Sequence, residues 1–287
     1  MTGCKCEFIL NRLNIYQSNK ENKMEKKCYS KLFLKFISFV TSGLLFFILS
    51  TSAHAEWHSG IGTGLSSQYR YGTIGFRTVL FGDVKMDYEL DSQALKDHLN
   101  SSFEFAGNLS DGRWMIQYSL ASLELEDNAK GRRLNGSEVT GDITLKTTSA
   151  EMTVGHPVLK FDNLVLRAHT GLRYIKHDFE SDLTNLTTTI ERDFDHEWTD
   201  LLLGVTMNIP ITNQLTWNNK MNIGFGGSEG TFFGSVGATW RFHKNFSTGL
   251  TAKVMSVEFE NDSKGDSDWY LYDVDESSLT LDLLFHW

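Results

Sequence analysis

The stretch Leu201–Phe225, LLLGVTMNIPITNQLTWNNKMNIGF, decides the fold. Leu201, Leu203, Val205, Met207 and Ile209 alternate with Gly204, Thr206 and Asn208, and Asp200 precedes them in phase. After the break at Pro210–Asn213, Leu215, Trp217, Met221, Ile223 and Phe225 alternate with Thr216, Asn218, Lys220, Asn222 and Gly224. Successive side chains of a strand point to opposite faces, so a period of two gives one apolar and one polar face. Two such segments joined by a short link form an antiparallel hairpin.

The same period runs through most of the chain. Leu164, Leu166, Ala168, Leu172 and Tyr174 alternate with Arg167, His169, Arg173 and His177; Phe232, Val236, Ala238, Trp240 and Phe242 alternate with Ser235, Gly237, Thr239 and Arg241. Strands are predicted near 57–66, 102–108, 113–125, 139–154, 163–177, 197–209, 214–226, 230–242, 246–260 and 276–287, ten in all. A further hairpin, Thr73–Leu80 with the strictly alternating Val84–Leu90, favours twelve. Either even number keeps both ends of the barrel chain on one side. Ser92–Leu99 reads as a short helix.

Alternation alone also fits a soluble sandwich. Strand length points elsewhere: these segments run to about 11–15 residues, against roughly 5–6 in globular sheets and about 9–11 for a tilted membrane-crossing strand. The links are asymmetric as well. Short ones sit at Leu109–Gly112, Gly155–Asn163, Pro210–Asn213 and His243–Asn245, and long polar ones at Glu126–Glu138, Asp178–Glu197 and Glu260–Glu276, with Gly227–Gly230 a short exception. Short turns on one side and long loops on the other is the arrangement of outer-membrane barrels. The two prolines, Pro157 and Pro210, fall in short links. Trp57, Trp114, Trp198, Trp217 and Trp240 lie near predicted strand ends, as an interfacial girdle requires.

The N-terminal region differs in kind. All three cysteines (Cys4, Cys6, Cys28) lie in residues 1–55, with 8 of the 27 Lys+Arg and 3 of the 36 Asp+Glu. Lys26, Lys27, Lys31 and Lys35 precede an apolar run from Phe36 to Leu49, and Ala53-His54-Ala55 follows. A basic region, a short apolar core and an A-x-A site make a secretory signal peptide. The expected division is a leader or upstream segment over 1–23, a signal peptide over 24–55 cleaved after Ala55 with Ala53 in the recognition site, and a barrel over 56–287. The mature part carries 19 basic and 33 acidic residues. That balance speaks against nucleic acid as a partner, and the absence of cysteine excludes disulfides and thiolate metal sites there.

At the C-terminus, Leu279, Leu281, Leu283, Phe285 and Trp287 alternate up to an aromatic residue. Here, and in Gly171-Leu172-Arg173-Tyr174, Trp198-Thr199-Asp200 and Gly224–Ser228, the sequence resembles the small Gram-negative outer-membrane β-barrel proteins of OmpA- or OmpW-like architecture. The resemblance runs from about Trp57 to Trp287. It implies an outer-membrane address, lipid and lipopolysaccharide as surroundings, and the barrel-assembly machinery as a partner reading Leu283, Phe285 and Trp287. Most such proteins end in Phe; Trp287 keeps the aromatic character. No catalytic residue carries over.

If the apolar faces meet lipid, Asp142, Lys146, Arg167, His169, Arg173, Asp200, Lys220, Arg241, Lys253 and Asp282 line the lumen, since a charge facing lipid costs about 2–4 kcal/mol at the midplane. They suit a narrow pore for small polar, anionic solutes or a plug of paired charges. The links carrying Asp178, Glu180, Asp182, Glu191, Asp193, Asp195 and Glu197, and Asp262, Asp266, Asp268, Asp273, Asp275 and Glu276, read as solvated acidic loops, and a surface-exposed binding or adhesion protein acting through them is the second reading. Such carboxylates can hold divalent cations, but their spacing matches no EF-hand loop, and no metal or other cofactor is expected. An outer-membrane lipid-modifying enzyme or protease is the third reading. It would rest on His177, His196 and Ser181, without a supporting G-x-S-x-G or H-E-x-x-H motif, so catalysis is not expected.

Overall fold

A computed structural model describes residues 58–78, 82–90, 99–133, 138–161, 164–185, 188–261 and 265–287. The leader, the signal sequence with Ala53 and Ala55, Trp57, and positions 92–98 of the expected helix lie outside the described residues. Among those described there are eleven strands and no helix. They are β1 His58–Thr78, β2 Gly82–Leu90, β3 Leu99–Ser110, β4 Met115–Arg133, β5 Glu138–Phe161, β6 Leu164–Asn185, β7 Thr188–Pro210, β8 Leu215–Phe225, β9 Gly230–His243, β10 Phe246–Asn261 and β11 Tyr270–His286.

From β3 to β11 each strand pairs antiparallel with the next. The ring closes where Gly60–Phe76 of β1 pairs with Tyr270–His286 of β11. Between β1 and β4, two segments share one place. β3 pairs with His58–Thr63 and with Met115–Leu125, and β2 pairs with Arg70–Thr78 and with Gly131–Arg133. Both run in the same direction, so eleven segments fill ten positions of the ring. The hairpin expected to raise the number to twelve adds no pair of wall strands: Thr73–Thr78 is the top of β1, and Val84–Leu90 is the upper part of the strand that β3 completes.

The ring turns its apolar side chains outward. Leu65, Leu203, Ile223, Leu250 and Leu281 are exposed, as are Trp217, Trp240, Phe242 and Phe246. A closed ladder leaves no edge to be desolvated in hydrocarbon, which is why an apolar exterior and a sheet are compatible only in a barrel. The short turns join β3–β4, β5–β6, β7–β8 and β9–β10 at the end that also carries His58 and His286, the periplasmic end in outer-membrane barrels. Pro210 ends β7, whereas Pro157, expected in a link, lies within β5 at a register shift between Pro157 and Leu159. A bulge accommodates the missing amide.

At the other end the strands are longer than expected. The links Glu126–Glu138 and Asp178–Glu197 are almost wholly strand, with β4 reaching Arg133, β5 starting at Glu138, β6 reaching Asn185 and β7 starting at Thr188. Here the two faces exchange character. On β6 the outer face changes from Leu166, Ala168 and Leu172 to Lys176, Asp178, Glu180 and Asp182, while the inner face changes from Arg167, His169 and Arg173 to Ile175, His177 and Phe179. On β7 the outer Leu203 and Val205 give way to Asp193, Asp195 and Glu197, while Trp198 is buried on the inner face. Outside the bilayer water replaces lipid around the ring, so apolar groups gain by turning inward. Trp198 is therefore a core residue, 5 % exposed, and not part of a girdle; Trp114, Trp217 and Trp240 are exposed at the short-turn end.

The exchange gives a direct test. Leu203→Arg is expected to lower folding stability in lipid by about 2–4 kcal/mol. Asp193→Arg, on the same face of β7 but in the polar extension opposite Glu180, should not lower it. Equilibrium unfolding in lipid vesicles measures both.

Candidate functional site

Within the ring the polar side chains are paired across strands rather than left lining an open bore. Glu151 on β5 accepts from the Arg173 guanidinium of β6 at 2.7 and 3.0 Å and from Lys220 Nζ of β8 at 2.7 Å. The Arg173 and Lys220 cations also lie 5.6 and 5.8 Å from the Phe233 ring centre. Lys253 of β10 reaches Glu104 of β3 at 2.7 Å, and Arg70 of β1 pairs with Glu276 of β11 at 2.7 Å. Nearer the short turns, Arg167 donates to Asn208, Asn208 to Asn218 and Asn218 to Thr239, each within 2.9 Å.

The residues expected in the lumen divide accordingly. Arg167, His169, Arg173, Asp200, Lys220, Lys253 and Asp282 occupy the inner face, and Arg241 is exposed at the short-turn mouth. His169 meets Thr206 at 3.2 Å. Asp200 is fully buried and accepts from the amides of Gly227 and Ser228 at 3.1 and 2.8 Å, so it holds the β8–β9 turn against the wall. Asp142 and Lys146 are corrections. Both are exposed on the outer face of β5, where Lys146 lies 3.8 Å from Glu124, and the neighbouring Leu145 is 3 % exposed inside. They sit in the extension, where polar residues face out. Met152 and Val154 share their phase and reveal the face that meets lipid below. Glu104, Glu151 and Arg70, which complete the network, escaped the sequence reading, and Glu276, expected in a solvated loop, is on β11 with its carboxylate on Arg70; Glu151 alternates with Met152 and Val154, and that was its signal.

Above the ion pairs, aromatic side chains from opposite walls meet across the ring. Phe76 of β1 lies 4.8 Å from Phe179 of β6, and Trp198 of β7 stacks on Phe259 of β10 at 4.1 Å. His196 stacks on Tyr270 at 4.7 Å. His177 Nδ1 meets the Tyr270 hydroxyl at 2.8 Å, and its ring lies 4.3 Å from Tyr272. Ile74, Val84, Met86, Leu145, Ile175, Val257 and Val274 complete this core. His177, His196 and Ser181, the side chains an enzyme reading needed at the rim, thus lie in or beside packed apolar surroundings: His177 and Ser181 are 1 % and 4 % exposed. Burial, with the Arg70 charge as a lesser cause and His196 after it, pulls the His177 pKa down to about 3.

The outer face of the extension is acidic. Strand register sets Asp142, Asp182 and Glu191 side by side on β5, β6 and β7, then Thr144, Glu180 and Asp193, then Lys146, Asp178 and Asp195. A shallow cavity of about 170 Å³ opens among the first two rows. Lys176 pairs with Asp178, and the Tyr174 hydroxyl donates to Glu197 at 2.6 Å. Among the described residues no group of three His, Cys, Asp or Glu side chains is placed to hold a metal ion. Leu283, Phe285 and Trp287 are exposed on the outer face of the last strand.

No protein-family model and no curated protein sequence matches the chain. Solved structures do. The outer membrane protease OmpT from Escherichia coli is 9 % identical with a TM-score of 0.52, over 83 % of this chain and 99 % of that one. The translocator domain of the autotransporter NalP from Neisseria meningitidis is 10 % identical with a TM-score of 0.45, over 90 % and 95 %. Ail, the attachment invasion locus protein of Yersinia pestis, is 14 % identical with a TM-score of 0.32, over 81 % and 99 %. The fold is that of the outer-membrane β-barrel proteins.

Two outcomes follow for the interior. Glu151→Gln leaves two buried cations without their carboxylate and should cost about 3–5 kcal/mol, read by unfolding in lipid vesicles. His177 is neutral in the fold while its unfolded counterpart titrates near 6.5. The unfolded state therefore binds more protons between pH 6.5 and 3, and stability falls as pH drops through that window. Protection against hydrogen exchange in β6 and β11 of the extension, corrected for the intrinsic rate at each pH, should fall from pH 7 to pH 4, and His177→Phe should flatten the response.

Proposed function

We propose that this protein is a closed outer-membrane scaffold that acts at the cell surface through the acidic outer face of β5, β6 and β7, as a binding protein for cationic partners. The observation that carries this reading is the aromatic core across the ring, with Phe76 against Phe179 and Trp198 against Phe259. A solute following the bore would meet packed rings there. The lumenal cations that would favour anions are matched: Arg173 and Lys220 share Glu151, and Lys253 holds Glu104. Both features support a filled barrel over a conducting one.

The outer face supports the positive half of the reading. Like charges directly opposite one another on adjacent strands are destabilising, yet Asp142, Asp182 and Glu191 stand in one row. Such a row adds nothing to folding and suits long-range attraction of positive charge. The reading contains no catalytic step, because His177 and His196 are engaged with Tyr270 inside the core.

In planar bilayers the purified protein should show no discrete conductance steps. Phe76→Ala with Phe179→Ala and Trp198→Ala should introduce them if the barrel survives. Steps in the unaltered protein would overturn the scaffold reading. Binding of a labelled oligolysine peptide to reconstituted vesicles should fall at least fivefold in the triple variant Asp142→Asn, Asp182→Asn, Glu191→Gln. The same variant should be more stable by roughly 0.2–1 kcal/mol per like-charge pair removed. Unchanged binding would remove this face from the proposal.

A further inference from the structure

The short-turn end carries the opposite charge from the extension. Its turns and strand ends hold Arg113, Lys160, Arg241 and Lys244, with His58, His156, His243 and His286. Among the described residues of these turns the acid is Asp111, whose Oδ1 accepts from the amides of Arg113 and Trp114 at 2.8 and 2.5 Å, closing its turn. The basic residues cluster with aromatics at one place above all, the β9–β10 turn. Arg241, His243 and Lys244 occupy three of four consecutive positions, and all are exposed; Arg241, paired with the inward Ser247, faces the mouth of the bore, while His243 is paired with the outward Phe246 and Lys244 is on the turn itself.

Beneath that turn, aromatic rings form a continuous outer ladder across β9, β10 and β11. Trp240 lies 5.8 Å from Phe242, Phe242 6.4 Å from Phe246, Phe246 5.3 Å from Phe285, and Phe285 5.7 Å from Trp287. All five are exposed, between 38 % and 57 %. Rings of this kind belong at the boundary between acyl chains and headgroups. Lys244, on the turn between Phe242 and Phe246, stands at headgroup depth with a stem long enough to keep its ammonium among phosphates.

We propose that the β9–β10 turn, with its aromatic ladder, is a docking site for an anionic phospholipid of the periplasmic leaflet. Lys244 attracts the headgroup phosphate and its net negative charge, and Phe242, Phe246, Phe285 and Trp287 hold the glycerol and upper acyl region. Charge complementarity selects this occupant. A zwitterionic lipid offers the same phosphate with its charge cancelled. A second copy of this chain would bring the same cations against each other. The polarity of the whole barrel agrees: acids crowd the outer face of the extension, and cations the rim that meets the inner leaflet.

The test uses the full barrel, extracted with equal amounts of phosphatidylglycerol and phosphatidylethanolamine and analysed by native mass spectrometry for retained lipid. The unaltered protein should retain phosphatidylglycerol preferentially, by about fivefold for each cation engaged. Lys244→Gln should bring retention close to parity, Lys244→Arg should preserve it, and 0.5 M NaCl should weaken it. Heat-modifiable gel mobility verifies that each variant is folded. Equal retention in the unaltered protein would overturn the proposal. So would a preference that survives Lys244→Gln, or one abolished only by Arg113→Gln with Lys160→Gln. Slower assembly in cells with lipid retention unchanged would assign the patch to the assembly machinery instead.

Discussion

Every backbone amide and carbonyl that enters hydrocarbon has to find its partner within the protein, because lipid offers none. That requirement explains why β11 returns to β1 along seventeen paired positions, and why the ring tolerates a wall position built from two collinear segments rather than an open edge. Once the ring is closed, the bilayer fixes which side chains face out, and the interior receives what is left: arginines, lysines, glutamates, asparagines and glycines. These are not a pore lining by default. In a ring this narrow they meet one another, and the interior is organised as pairs.

Where the strands leave the bilayer, the same sheet has a different solvent on its outer side. The ring then behaves as a soluble protein does. Carboxylates and lysines face water, and aromatics gather inside as a core. The membrane barrel and the extension are thus one continuous set of strands under two solvent conditions, with the Arg70–Glu276 and Arg173–Glu151 pairs near the level where one gives way to the other.

The sequence made the membrane-embedded half legible because the lipid face is simple: Leu201 through Ile209 and Leu279 through Trp287 alternate with little interruption. The extension was harder for a physical reason. Alternation persists through His177, Phe179, Phe194 and Trp198, but apolar no longer means outward. A reader applying one rule throughout takes Asp178–Glu197 for a loop and Trp198 for a girdle residue, and puts Asp142 and Lys146 in the lumen. The broken strand of β2 and β3 posed another difficulty, since two alternating segments look like two wall positions until their shared neighbours, β1 and β4, are known. Glu151 illustrates a third limit. Its phase is readable beside Met152 and Val154, but its partners lie on β6 and β8, and closure of the ring is what brings Lys220 to it.

The Glu151 clamp also bears on how the barrel reaches its proper stagger. A strand displaced by one residue exchanges its two faces entirely. For β5 that slip would push a carboxylate into lipid and leave two cations in the bore with nothing to neutralise them. The penalty falls on both sides of the wall at once, so a single acidic side chain acts as a proofreading element for the alignment of β5, β6 and β8 while the cylinder is being sewn shut.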